Sequence, residues 1–292
     1  MSKGLLDPKV DFVFKNIFGS PNHPEILISF LNATLKAKKK IVNVDIKKTD
    51  IEKQYIEDKY SRLDVKATTS NDEIINIEIQ LKNENNMVKR SLYYLSKMYE
   101  EQLNEKEDYS KLVRTVCINI LNFKYLKTDN FHTGYRFKEI ESNEELTDIM
   151  EVHFIEIPKL QDSSDEKDML VAWTEFLKDP ESEKVRGLEL SIEEIRQAKD
   201  ELIRMSNDST QRELYDMRAN SLRDKMSELN AAERKGIEKG REEGREEGRK
   251  EGIEEGRKEE KIEIARNMKL SGVDTNTIAK ITNLSEDEID KL

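Results

Sequence analysis

The strongest constraint on the fold is a run of strict alternation, Ile74-Ile75-Asn76-Ile77-Glu78-Ile79-Gln80-Leu81. A period of two is the mark of a strand, with Ile75, Ile77, Ile79 and Leu81 on one face and Asn76, Glu78 and Gln80 on the other. The segment Arg62-Leu63-Asp64-Val65-Lys66 alternates in the same way, and Thr68-Thr69-Ser70-Asn71-Asp72 supplies turn chemistry between the two. Together they read as a β-hairpin. If the register lets the polar faces coincide, Asp64 and Glu78 converge within reach of one divalent cation of the hard, oxygen-preferring kind, such as magnesium. The same pattern also describes carboxylates solvated on the water-facing side of an antiparallel sheet. Spacing leaves both readings open.

The surrounding text predicts a mixed α/β unit. Residues 9–18 and 24–37 read as short helices broken at Gly19-Ser20-Pro21. Strands follow over 41–46, 63–67 and 74–81, then a helix over 88–104 in which Tyr93, Tyr94 and Tyr99 serve as packing residues. Residues 113–121 form a nearly continuous apolar run and predict a buried strand, with Cys117 as a small core residue. The resulting order is helix, three strands, helix, strand.

Composition limits the functional classes. Hydrophobic residues make up 36% and charged residues 38% of the 292, and the excess charge lies late in the chain. No apolar run approaches the roughly 18 residues of a membrane span, and no signal-peptide core is visible, which predicts a cytoplasmic protein without membrane contact. His23, His132 and His153 lack ligand spacing, and there is no CxxC pair, which argues against zinc. A net charge of −11 disfavours indiscriminate nucleic-acid binding. A local basic cluster, Lys36, Lys38, Lys39, Lys40, Lys47 and Lys48, fits either a phosphate-tracking surface or a solvated helix end.

Beyond residue 160 the chain reads as a helical extension over 161–230, through a segment at 167–177 with Trp173 and another at 192–230. Gly236, Gly240, Gly244, Gly248, Gly252 and Gly256 then recur every four residues within a charged stretch over 231–261. On a helix they form a slowly winding stripe, each costing roughly 1 kcal/mol relative to Ala. The stretch reads either as a helix at which partner copies meet, giving a homo-oligomer, or as a solvated spacer. Residues 262–292 form a small helix-turn-helix-like module, with a capping box at Ser285 and Glu288. It suits DNA or protein contacts, although its last turn is acidic.

The order Asp64, Glu78-x-Gln80 resembles the PD-(D/E)xK nuclease core, with Gln where Lys usually stands. Asp11-Phe12-Val13-Phe14-Lys15, Ile17-Phe18-Gly19-Ser20 and Leu27-Ile28-Ser29-Phe30-Leu31-Asn32 resemble the Rpn family of recombination-promoting nucleases and transposases. So do Arg90-Ser91-Leu92-Tyr93-Tyr94-Leu95-Ser96-Lys97, Val116-Cys117-Ile118-Asn119-Ile120-Leu121 and His153-Phe154-Ile155-Glu156-Ile157-Pro158-Lys159.

The resemblance covers residues 6–159. It implies a restriction-endonuclease-like core over 1–160, a mixed central sheet flanked by helices, followed by the α-helical C-terminal region. It implies a DNA endonuclease that hydrolyses phosphodiester bonds with Mg2+ or another divalent cation. The implied metal ligands are Asp64, Glu78 and the backbone carbonyl of Ile79, with Gln80 in the Lys position and Asp11 as a first-helix carboxylate acting indirectly. Lys15, Lys82 and Arg90 are the candidate DNA-contacting cations. The alternative is a nuclease fold with weak or lost turnover that binds DNA or a partner. Gln80 bears on this choice, since a neutral amide can hold a water or a phosphate oxygen but supplies neither charge nor a proton acceptor of useful basicity.

Overall fold

The computed structural model describes residues 4–37, 39–47, 65–165 and 167–292. Arg62, Leu63 and Asp64 of the expected hairpin, and Lys38 and Lys48 of the basic cluster, lie outside them. The chain divides into two compact units, Met1–Leu222 and Arg223–Leu292.

The first unit opens with α1 (Asp11–Phe18) and α2 (Pro24–Leu35). Helix α1 buries Val13, Phe14, Ile17 and Phe18, the helical spacing of a single apolar stripe, and stops at Gly19. A Cβ on Gly19 would lie 2.6 Å from the Lys15 carbonyl oxygen and 3.3 Å from Val65 Cγ2. This glycine therefore allows the end of α1 to lie close against Val65. Helix α2 starts with a proline in its first turn, where the missing N–H costs nothing, and closes on Lys36 in the left-handed region.

Six strands form one sheet in the order β1-β2-β3-β4-β6-β5. They are β1 (Val44–Lys47), β2 (Val65–Thr69), β3 (Ile74–Gln80), β4 (Thr115–Leu121), β5 (His132–Lys138) and β6 (Glu145–Glu156). The first three pair antiparallel, with Val65 opposite Ile77 and Ala67 opposite Ile75. Strand β4 is parallel to both β3 and β6, and all seven of its residues are buried, as the apolar run predicts. The edge strand β5 pairs antiparallel with β6, and neither was legible in the sequence.

Helix α3 (Met87–Glu100) lies over one face, burying Met87, Ser91, Tyr94, Leu95 and Met98. It shares a small apolar cluster with Cys117, Leu121, Val152 and Phe154. Tyr93 is 52% exposed, so it is not the packing residue the sequence suggests. The opposite face carries the main core, formed with α1, α2, α4 (Met169–Lys178), α5 (Glu183–Ser191) and α6 (Glu193–Asn207). Phe18 is central there, with ring centroids 4.5 Å from Phe14, 5.4 Å from Phe30 and 5.3 Å from Trp173. The predicted helix over 192–230 is broken at Asp208, whose carboxylate accepts from the Gln211 N–H at 2.9 Å and so starts a new helix.

That helix, α7 (Ser209–Leu270), runs through the glycine repeat without interruption. Its charged stretch is exposed, and i,i+4 pairs such as Lys239–Glu243 at 3.5 Å and Glu246–Lys250 at 3.0 Å run along it. At the end of the second unit, α8 (Thr275–Thr282) and α9 (Glu286–Asp290) enclose a core of Ala265, Ile278, Leu284 and Ile289. The capping box at Ser285 and Glu288 is formed. No helix of the described residues is long and apolar enough to cross a membrane.

Candidate active site

Strand β3 lies between an antiparallel and a parallel neighbour, with helices over both faces of the sheet. Its polar face is consequently not the water-facing surface that alternation alone allows. Asn76 and Glu78 are fully buried, and Gln80 is half-buried at the strand end. A carboxylate in such a place needs compensation. Glu78 Oε2 accepts from Arg90 Nε at 3.1 Å, and the Arg90 guanidinium also lies 5.1 Å from the centre of the Tyr94 ring. Glu78 Oε1 has no hydrogen-bond partner among the described residues. Burial raises the Glu78 carboxyl above the ordinary range, and the charge and hydrogen bond of Arg90, with Asn76 beside it, offset that only in part.

The layer around Glu78 is polar. Asn119 of β4 is its neighbour in register, and the Asn119 amide is fully engaged: Nδ2 donates to the His153 carbonyl at 3.1 Å and Oδ1 accepts from Ser91 Oγ at 2.9 Å. Asn76 is opposite Cys117; its amide is near enough to draw down both the Glu78 carboxyl and the Cys117 thiol, but neither heteroatom has a partner at hydrogen-bond distance among the described residues. Burial, and then the nearby Glu78 charge, push the Cys117 thiol up to about 12, so it stays protonated and inert at neutral pH.

The remaining candidates are placed as follows. Asp64 lies outside the described residues; its bonded neighbour Val65 pairs with Ile77, the bonded neighbour of Glu78. Asp11 opens α1, but its ion partner is Arg218 of α7 at 2.7 Å, not Lys15 one turn along its own helix. Its other oxygen accepts from the Phe12 N–H at 2.7 Å. Among the described residues no three His, Cys, Asp or Glu side chains converge as a metal-holding group. Ile79 lies between Glu78 and Gln80 in β3, and Lys15 and Lys82 are partly exposed. Arg90, a candidate DNA contact in the sequence, is paired with Glu78 through Nε. Twelve residues separate the pair, and only the turn from β3 into α3 closes that gap.

Elsewhere, the basic cluster is offset by carboxylates. Lys36 and Lys40 line a cleft with Glu25, Asp165, Asp168 and Glu194, and Lys36 pairs with Asp168 at 3.2 Å. A partly buried chain of polar groups also joins β5 and β6 to Arg114, the residue before β4, and no sequence spacing announces it. His132 Nε2 lies 2.9 Å from His153 Nδ1, and His153 Nε2 lies 2.5 Å from Glu151 Oε1. Glu151 Oε2 accepts from Arg114 at 2.5 Å and from Arg136 at 2.7 Å. Burial, followed by the neighbouring His153, pushes His132 down to about 4. Burial works to raise Glu151, but the hydrogen bonds from His153, Arg136 and Arg114 prevail and hold it at about 2.

A mixed sheet with flanking helices and a Glu-x-Gln element on its third strand defines a restriction-endonuclease-like core. Residues 8–232 match the family model for the PD-(D/E)XK nuclease family transposase, and residues 258–292 match that for the C-terminal HTH domain of the Rpn/YhgA-like nuclease family. The chain belongs to the PD-(D/E)XK nuclease family of transposases, in its Rpn branch. No curated protein and no solved structure matches it.

Proposed function

We propose that the protein is a divalent-metal-dependent DNA endonuclease that hydrolyses phosphodiester bonds, with Asp64, Glu78 and the Ile79 carbonyl holding Mg2+ or a similar cation. The observation carrying this reading is Glu78 itself. It is a buried carboxylate with one oxygen fixed by Arg90 and the other without a partner among the described residues, an arrangement suited to a cation. A bound cation would supply Lewis acidity and lower the pKa of a coordinated water.

The chain's own groups have separate tasks. Arg90 fixes the orientation of the Glu78 carboxylate. Gln80, on the same face of β3, orients a water or a phosphate oxygen through its amide. Positive charge near the phosphate, absent from Gln80, comes from Arg90, with Lys15 and Lys82 as further DNA contacts and Asp11 as an indirect, outer participant.

The test is supercoiled plasmid incubated with and without magnesium, for the native chain and for Asp64→Ala and Glu78→Ala. Cleavage that needs both metal and carboxylates supports the reading. Tight DNA binding without cleavage selects a fold that has kept its contacts and lost turnover.

The exposed glycine stripe of α7 is proposed as the seam of a homo-oligomer, since a Cβ at Gly236 to Gly256 would meet nothing within 4 Å of this chain. Deleting residues 234–261 should lower the mass measured by light scattering; an unchanged mass rejects the seam.

A further inference from the structure

Six buried side-chain atoms among the described residues lack a partner at hydrogen-bond distance, and three lie on one face of β3: both amide heteroatoms of Asn76 and Oε1 of Glu78. Buried amides in this layer are otherwise satisfied. Asn119, one strand away and equally buried, uses both its oxygen and its nitrogen. Leaving an amide unpaired in the interior is unfavourable, and native structures rarely do so without an occupant. Asn76 and Glu78 are two apart on β3, so their side chains leave the same face, and the amide lies beside the carboxylate.

Asn76 lies close enough to lower the Glu78 carboxyl, yet neither of its amide heteroatoms nor Glu78 Oε1 has a partner at hydrogen-bond distance, which leaves two acceptors, Glu78 Oε1 and Asn76 Oδ1, beside one loosely placed amide donor. That set suits a small hydrated cation better than an anion or an apolar group. A hard divalent ion takes the carboxylate oxygen directly and keeps several waters, which need acceptors around them. We infer that Asn76 is a positioning residue for the cation held at Glu78, its Oδ1 accepting a hydrogen bond from a water of the cation's hydration shell. This rests on the cation reading of Glu78 proposed above. Asn76 then sets how tightly the ion is held, as outer-shell partners of metal ligands do.

The experiment is calorimetric titration of the full chain with magnesium and manganese chloride, accompanied by thermal melts with and without metal. The variants are Asn76→Leu, Asn76→Asp and Glu78→Gln. Asn76→Leu should weaken metal binding by about tenfold and melt no lower than the native chain without metal, because it removes two unpaired buried groups. A residue that served packing alone would lower the melt and leave the affinity unchanged. Asn76→Asp adds negative charge beside the ion and should tighten binding; equal or weaker affinity overturns the inference, including where Asn76→Leu fails to fold. If Glu78→Gln abolishes binding while Asn76→Leu leaves it intact, the role of Asn76 is rejected and the cation site stands. If Glu78→Gln leaves binding unchanged, the site itself is rejected.

Discussion

Arg90 Nε donates to Glu78 Oε2 across 3.1 Å, joining the first turn of α3 to β3 through a carboxylate whose side chain is 1% exposed. Removing the cation strands a buried charge, whereas removing both groups does not. Arg90→Met should therefore cost about 2–3 kcal/mol. The double variant with Glu78→Gln should lose less than the sum of the single losses. Urea unfolding of the four proteins in a metal-free buffer checks both statements.

Metal uptake should carry the proton signature of Glu78. Its carboxyl is raised by burial and partly drawn back by Arg90, so protons compete with a cation at higher pH than at an ordinary carboxylate. Affinity should rise with pH through a midpoint above the usual carboxylate range. Arg90→Met, which removes the charge opposing the shift, should move that midpoint further up. Titrations at a series of pH values measure it, and a midpoint within the ordinary range contradicts the expectation.

Acid should weaken the fold through His132 of β5. His132 is held at about 4, below its ordinary value, so as pH falls the unfolded chain takes up a proton before the folded one does. Stability is lost from the usual imidazole range down to about 4, with a slope of up to about 1.4 kcal/mol per pH unit. Glu151, held at about 2, adds a further loss below the ordinary carboxylate range. His132→Gln should flatten the first part of the curve and leave the second, as read by denaturant unfolding across pH.

Gly134 supports the same network. It lies opposite His153 in register, and a Cβ there would come within 3.0 Å of His153 Cε1 and 3.2 Å of Nδ1. Gly134→Ala should push the ring off its partners and cost about 1–3 kcal/mol. A shifted imidazole resonance in the spectrum of the folded variant would report the displacement.

The α7 glycines separate two roles by one substitution. Replacing Gly240, Gly244 and Gly248 with Ala should increase helicity in circular dichroism, each by up to about 1 kcal/mol of helix propensity. A packing seam would also lose oligomer mass in light scattering, whereas a solitary helix would keep the same mass.

Period-two alternation was enough to read β3, and an unbroken apolar run was enough for β4, because both signals follow from the pleat and from burial on two faces. The capping box at Ser285 was legible for the same local reason. Strands β5 and β6 were not, since β5 is largely exposed and the first half of β6 lacks an alternating face. The short helix α5 and the break at Asp208 went unread, although Pro180 with the cap Ser182 and the cap Asp208 are the local signals that mark their starts.

The amino-acid order by itself determined that Asn76, Glu78 and Gln80 share one face of a strand, because side-chain direction in an extended chain depends only on position. What lies over that face depends on where α3 packs, and only the tertiary structure decided it. That packing puts Glu78 out of reach of water, brings Arg90 onto one of its oxygens and sets the buried Asn76 amide beside it. Contacts between segments far apart in sequence arise from burial of the whole sheet, which local periodicity does not encode.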